Sequence, residues 1–159
     1  GLGIGGTRAL LVEFNRGPLP RGATDELIRL TGTGRVPVLA HPERYLDCTL
    51  DLVRAWRASG VVIQTDARSL LGQGMPSAMA RDMLAHGMID ILASDNHGDG
   101  RRSLAIARDW LLEHGGAEHA HLLTQHNPGC LLREVPLEAV PPFRGSGGGL
   151  RRLWRRFWA

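Results

Sequence analysis

Short apolar runs alternate with amphipathic segments along most of this chain. Residues 8–14 carry the run Ala9-Leu10-Leu11-Val12 and read as a strand that ends in Glu13-Phe14-Asn15. Gly17-Pro18-Leu19-Pro20 makes a turn. Residues 24–31 predict a helix, with Thr24 as N-cap and Asp25 and Glu26 in the first turn, where the helix dipole favours acids. Val36-Pro37-Val38-Leu39-Ala40 is the next strand, and it breaks off at His41-Pro42-Glu43-Arg44-Tyr45. Residues 49–59 place Leu50, Val53, Ala55 and Trp56 on one helical face, closed by Gly60. A strand at 61–65, a helix at 77–86 with Met79, Met83 and Leu84 inward, a strand at 89–93 and a helix at 103–113 follow. Asn127-Pro128 reads as N-cap and first position of a short terminal helix.

Four βα units in succession predict an α/β fold, a parallel sheet with helical crossovers. They are too few to close a (β/α) barrel, which takes roughly 200 residues or more. A barrel reading therefore requires N-terminal strands that this sequence does not contain. The opening Gly1-Leu2-Gly3-Ile4-Gly5-Gly6 fits G-x-G-x-x-G on paper. A dinucleotide fingerprint follows a strand and opens a helix, whereas these glycines precede the strand, so they read as a loop.

Composition narrows the picture. With 159 residues and 43% hydrophobic content the chain can bury a real core, and no apolar stretch approaches the ~20 residues of a membrane span. No signal peptide is visible, and Gly1 is not an initiator methionine, so the expected chain start lies upstream. Cys48 and Cys130 fit no zinc or disulfide framework, which leads to the expectation of a reduced, cytoplasmic setting. The formal charge of +3 is unevenly spread: residues 1–140 carry 14 arginines against 16 acids, a net of −2. No nucleic-acid surface is expected there. The basic excess follows Glu138.

The expected organisation is a body at 1–140, a Pro/Gly/Ser linker at 141–149 and a tail at 150–159. In the tail Leu150, Leu153, Trp154, Phe157 and Trp158 fall at i, i+3, i+4, i+7 and i+8 with four arginines opposite. That pattern suits contact with an anionic membrane surface, or alternatively a protein groove or nucleic acid.

In parallel sheets chemistry sits just past the carboxyl ends of strands. His41, Glu43 and Arg44 stand after one strand, Asp95 and His97 after another. Imidazole and carboxylate are divalent-metal ligands, and residues two apart can reach one cluster. Taken singly, Asp95 is better explained as a turn residue and His41 as a buried structural histidine; together at two strand ends they favour a site. Arg44 and Arg101, with Arg102 able to replace the latter, carry forks that suit phosphate, or are surface arginines. Glu43 orients His41 or Arg44, or pairs on the surface. His86, His114, His119, His121 and His126 read as solvent-facing. Cys48 and Arg54 match the C-x5-R spacing of cysteine-dependent phosphatases. The interior Thr49-Leu50-Asp51-Leu52-Val53 has no glycine, carries an acid and is helical in pattern, so the match is accidental.

Ala40-His41-Pro42-Glu43-Arg44-Tyr45 and Ala93-Ser94-Asp95-Asn96-His97-Gly98 together resemble the PHP-domain (polymerase and histidinol phosphatase type) tyrosine phosphatases of bacterial capsule and exopolysaccharide loci. Ala9-Leu10-Leu11-Val12-Glu13-Phe14, Gln64-Thr65, Ser69-Leu70-Leu71-Gly72 and Asn127-Pro128 extend the resemblance over residues 7–133. It implies the C-terminal part of a distorted (β/α) barrel and a divalent metal cluster of manganese type. A metal-activated water would attack phosphotyrosine without a cysteinyl intermediate. By position it implies His41, Asp95 and His97 as metal ligands, and Arg44 and Arg101 on the phosphate. The implied partner is a membrane-associated bacterial tyrosine kinase, at the inner face of the membrane. The family's paired-histidine motif, further histidine and further acids are absent, so this polypeptide alone is expected to bind metal weakly and turn over little. The competing expectations are a PHP phosphoesterase for a small metabolite, and an inactive truncated module that binds a membrane or protein partner.

Overall fold

The computed structural model describes residues 3–98 and 103–145, so the expectations for Arg101, Arg102 and the 150–159 tail lie outside the described residues. Four strands, β1 (Ala9–Val12), β2 (Val36–Ala40), β3 (Val62–Asp66) and β4 (Ile91–Ala93), form one parallel sheet in the order β1-β2-β3-β4. The register pairs Val12 with Leu39, Ala40 with Gln64, and Asp66 with Ala93. Each strand lies beside its predecessor, with no reversal of order. That is the winding of a barrel wall rather than of a doubly wound sheet.

Among the described residues seven α-helices accompany the strands: α1 (Ala23–Gly32), α2 (Leu50–Ala58), α3 (Ala67–Leu71), α4 (Met75–Ala85), α5 (Ser103–Glu113), α6 (Ala117–His121) and α7 (Asn127–Leu132). Side chains alternate across the sheet as the pleat requires. Leu39, Ile63 and Leu92 face the main core, where they meet Leu27, Val53, Trp56, Met83 and Leu111 from the helices. Val38, Val62 and Ile91 face the other way, into a smaller cluster closed by Ala9 and Leu131.

Several local expectations are corrected. Thr24 is not a cap: α1 starts at Ala23 after Gly22, and the Thr24 hydroxyl instead accepts the Trp56 indole N–H at 3.1 Å. Thr49 does cap α2, accepting from the Leu52 N–H. Ala55, placed on the inner face, is exposed while Val53 and Trp56 are buried. Met75 and Pro76 extend α4 two residues ahead of Ser77. The 89–93 strand is shorter, starting at Ile91; just before it the Asp90 N–H bonds the Ile63 carbonyl at 3.0 Å and the Asp90 carboxylate accepts the Ile63 N–H at 2.8 Å. His119, expected in solvent, is buried; Nε2 lies 2.9 Å from the Pro141 carbonyl and its ring packs edge-on against Phe143. The packed body thus runs on through Phe143.

Asn127 is the largest departure. It is helical in backbone and fully buried, and its amide bonds the carbonyls of Asp90 and Glu138 and the N–H of Glu138. Between α6 and α7 a π-helical turn (Leu122–His126) keeps the backbone helical, so 117–132 is one stretch. A wider turn directly before Pro128 accommodates a residue that lacks an N–H and crowds the carbonyl four residues back.

Candidate active site

The C-terminal ends of all four strands contribute polar side chains to one mouth. β2 ends at His41, whose backbone takes a left-handed conformation (φ 34°) before a tight 3-10 turn at Pro42–Arg44. Asp95, after β4, is also left-handed (φ 46°). Among the described residues only one other non-glycine, Glu134, has positive φ. Backbone held in such sparsely populated conformations clusters at functional sites.

His41 and Asp95 each stand in a donor pair. His41 Nε2 lies 3.1 Å from Glu13 Oε1, at the end of β1, and His97 Nε2 lies 3.3 Å from Asp95 Oδ1. His41 is buried, and its imidazole is held below its ordinary pKa by burial and by the nearby Arg44 charge. That favours the neutral ring a metal requires. His97 is 82% exposed.

Arg44 joins β2 to β3 and β4. Its Nη2 donates to Asp66 Oδ2 and to Asp95 Oδ2, the latter at 2.7 Å. Among the described residues Nε and Nη1 make no hydrogen bond, while Nη2, the nitrogen common to both edges of the fork, is taken by the two carboxylates. Burial opposes ionisation of Asp95, but the Arg44 hydrogen bond and charge outweigh it and hold the carboxyl below its ordinary range. Arg68 adds a second guanidinium, Nη2 donating to the Asp95 carbonyl at 3.2 Å and Nε 3.4 Å from Asp66. Asp66 also caps α3 through the Arg68 N–H.

Glu43 contacts neither His41 nor Arg44 by a hydrogen bond; Oε1 accepts the Asp66 backbone N–H at 3.0 Å and pins β3 to the turn after β2. Burial pushes its carboxyl up to about 7. Cys48 is no nucleophile. Burial pushes its thiol up to about 12, Thr49 opens an ordinary helix, and Arg54 pairs with Asp51.

The structure therefore brings His41, Arg44, Asp95 and His97 to one mouth and adds Glu13, Asp66 and Arg68. The signal for Glu13 was its place at a strand end, and for Asp66 the strand Val62-Ile63-Gln64-Thr65-Asp66 beside β2. Carboxylates alone are too common to be singled out that way.

A divalent metal fits the donor chemistry. Two oxygens or nitrogens at about 2.1 Å on neighbouring positions of one octahedral ion lie about 3 Å apart, close to both pair distances. Four buried polar side-chain atoms lack a partner among the described residues: His41 Nδ1, Glu43 Oε2, Gln64 Nε2 and Thr65 Oγ1. All lie at or beside the ends of β2 and β3. Unpaired buried groups are rare and call for a local explanation. The ligand set is partial, because among the described residues no three histidine, cysteine or acidic side chains converge on a single point.

Comparison with known proteins follows the same geometry. The family model for capsular polysaccharide synthesis proteins, CpsB/CapC, matches residues 2–133. A Staphylococcus aureus protein named for a tyrosine-protein phosphatase, CapC, is 31% identical over 99 residues, 60% of this chain and 39% of that protein. A solved structure from work on YwqE of Bacillus subtilis and CpsB of Streptococcus pneumoniae, described as metal-dependent tyrosine phosphatases, superposes with a TM-score of 0.75 at 26% identity. That match covers 90% of this chain and 61% of the other. The chain thus spans about two fifths to three fifths of the length of these relatives.

Proposed function

The chain belongs to the capsular polysaccharide synthesis CpsB/CapC family, and from that premise we propose that its strand-end mouth is part of a metal-dependent protein-tyrosine phosphatase site. The observation that carries the proposal is the two donor pairs, Glu13–His41 and Asp95–His97, at the ends of a barrel-wall sheet, with Arg44 bonded to Asp95.

Each residue has a role that follows from its contacts. The pairs Glu13–His41 and Asp95–His97 would hold metal of manganese type, which would supply polarisation of the phosphate and activation of water at neutral pH. Arg44 orients Asp95 through Oδ2, leaving Oδ1 toward His97, and its remaining N–H groups are the ones that would reach phosphate oxygens. Asp66 holds Arg44, and Glu43 holds the β3 end through the Asp66 N–H. Arg101 is proposed as the second phosphate-binding arginine.

The substrate is a phosphotyrosine protein, and a membrane-associated tyrosine kinase of polysaccharide synthesis fits the family name. Contact of 150–159 with the inner face of the membrane belongs to the same proposal. With a partial ligand set, the 159-residue chain alone binds metal weakly and turns over slowly. Release of phosphate from a phosphotyrosine peptide with added manganese, against Asp95→Asn and His41→Ala, tests the reading. Slow turnover abolished by both substitutions supports it; turnover insensitive to both, or to chelation, rejects it.

A further inference from the structure

Two arginines and two aspartates close a ring at the strand-end mouth. Arg44 Nη2 bonds Asp66 Oδ2 and Asp95 Oδ2, and Arg68 approaches the same two oxygens, Nε at 3.4 Å and Nη2 at 3.5 Å. The two arginines are not equivalent. Arg44 meets carboxylate oxygens, whereas Arg68 Nη2 also donates to the Asp95 backbone carbonyl at 3.2 Å. That backbone is left-handed, with φ 46°, a conformation that a residue with a side chain keeps where its surroundings impose it. One guanidinium thus grips Asp95 at its main chain and at its carboxylate, and leaves Oδ1 on the His97 side.

Arg68 stands on a firm base. It is the second residue of α3, whose Ala67 and Leu70 are buried in the main core, and Asp66 Oδ1 accepts its backbone N–H at 2.9 Å. That cap uses the main chain, so a change of the Arg68 side chain leaves the helix start in place.

Resting on the phosphatase reading above, we propose that Arg68 is a positioning residue, which acts through Asp95 by fixing its turn so that Oδ1 is presented as a ligand. Two physical roles give opposite signs here. As a nearby positive charge alone, Arg68 would repel a divalent cation, and removing it would tighten binding. As a positioning residue it supplies geometry, and removing it weakens binding; outer partners of metal ligands carry about 10–100-fold in affinity.

The test is made on the full 159-residue chain with two readouts. Manganese titration is followed by loss of the free-ion paramagnetic resonance signal, for the wild type, Asp95→Asn, Arg68→Ala and Arg68→Lys. Arg68→Ala is expected to bind manganese about tenfold more weakly, and Arg68→Lys, whose ammonium can still donate to the Asp95 carbonyl, to recover part of that loss. Without manganese, amide hydrogen exchange in Arg68→Ala is expected to quicken at residues 94–98 and to keep the wild-type rate in β1, β2 and β3. Unchanged or tighter manganese binding by Arg68→Ala, beside loss of binding in Asp95→Asn, overturns the positioning role and leaves the phosphatase reading standing. Exchange that quickens throughout the sheet makes Arg68 a residue of general stability and also overturns the role. No saturable binding in the wild type, or binding indifferent to Asp95→Asn, overturns the phosphatase reading and this inference with it. If Arg68→Ala does not melt cooperatively, Arg68→Gln takes its place under the same criteria.

Discussion

At Arg44 a single guanidinium nitrogen faces the carboxylates of Asp66 and Asp95, in a setting where all three side chains are largely shielded from water. Removing one partner of a buried ion pair leaves an uncompensated charge and costs about 3–5 kcal/mol. Arg44→Ala is therefore expected to lower unfolding stability by about that amount, read as a shift of the urea midpoint at unchanged slope. Cys48 makes the opposite kind of prediction. Alkylation needs the thiolate, and a thiol pushed up to about 12 is almost wholly protonated at pH 8. Iodoacetamide should leave Cys48 unlabelled at pH 8, with labelling rising only as pH climbs toward 12; rapid labelling near neutrality would reopen the C-x5-R reading. At this scale the sequence was informative where residue types were rare. Histidines beside a proline or an aspartate at strand ends stood out, and the structure does gather His41, Arg44, Asp95 and His97. Glu13 and Asp66 are single acids among 16, and only the register that puts β1 beside β2 and β3 beside β4 reveals them.

The elements were legible through periodicity, and their ends were not. Hydrophobic spacing and cap signals placed all four strands and four helices, α1, α2, α4 and α5, because burial decides both. The Asn127-Pro128 pair misled because its local chemistry matches a helix start, while tertiary contacts use Asn127 as a buried clamp between the β4 entry and the segment at Glu138. A π-helical turn, which has no sequence signature comparable to a cap, lets the helix run through. The same argument gives a test. Asn127→Ala strips partners from two carbonyls and one N–H in a fully buried place. Unsatisfied buried groups cost about 1–3 kcal/mol each, so the variant should lose at least about 2 kcal/mol in urea unfolding. A cost below about 0.5 kcal/mol, the range of a surface change, would show that the clamp does not hold these elements.

For the whole molecule the sheet order decides the reading. Strands that follow one another without reversal form a wall with most helices on one face and α7 against the other, and among the described residues β1 is an edge strand with Leu11 54% exposed. Exposed strand edges pair with other chains. Leu11→Lys should reduce concentration-dependent association in sedimentation velocity, and unchanged association would place the contact elsewhere. Chain length and the sequence motifs together made the barrel-wall fold readable, whereas the ligand set could be read only as partial. The most direct measurement is manganese titration of the 159-residue chain, followed by loss of the free-ion paramagnetic resonance signal. The account predicts weak, saturable binding that His41→Ala and Asp95→Asn each abolish while Met75→Glu leaves it intact. Binding of equal strength in all four proteins, or none at any manganese concentration, would contradict a metal site at the strand ends.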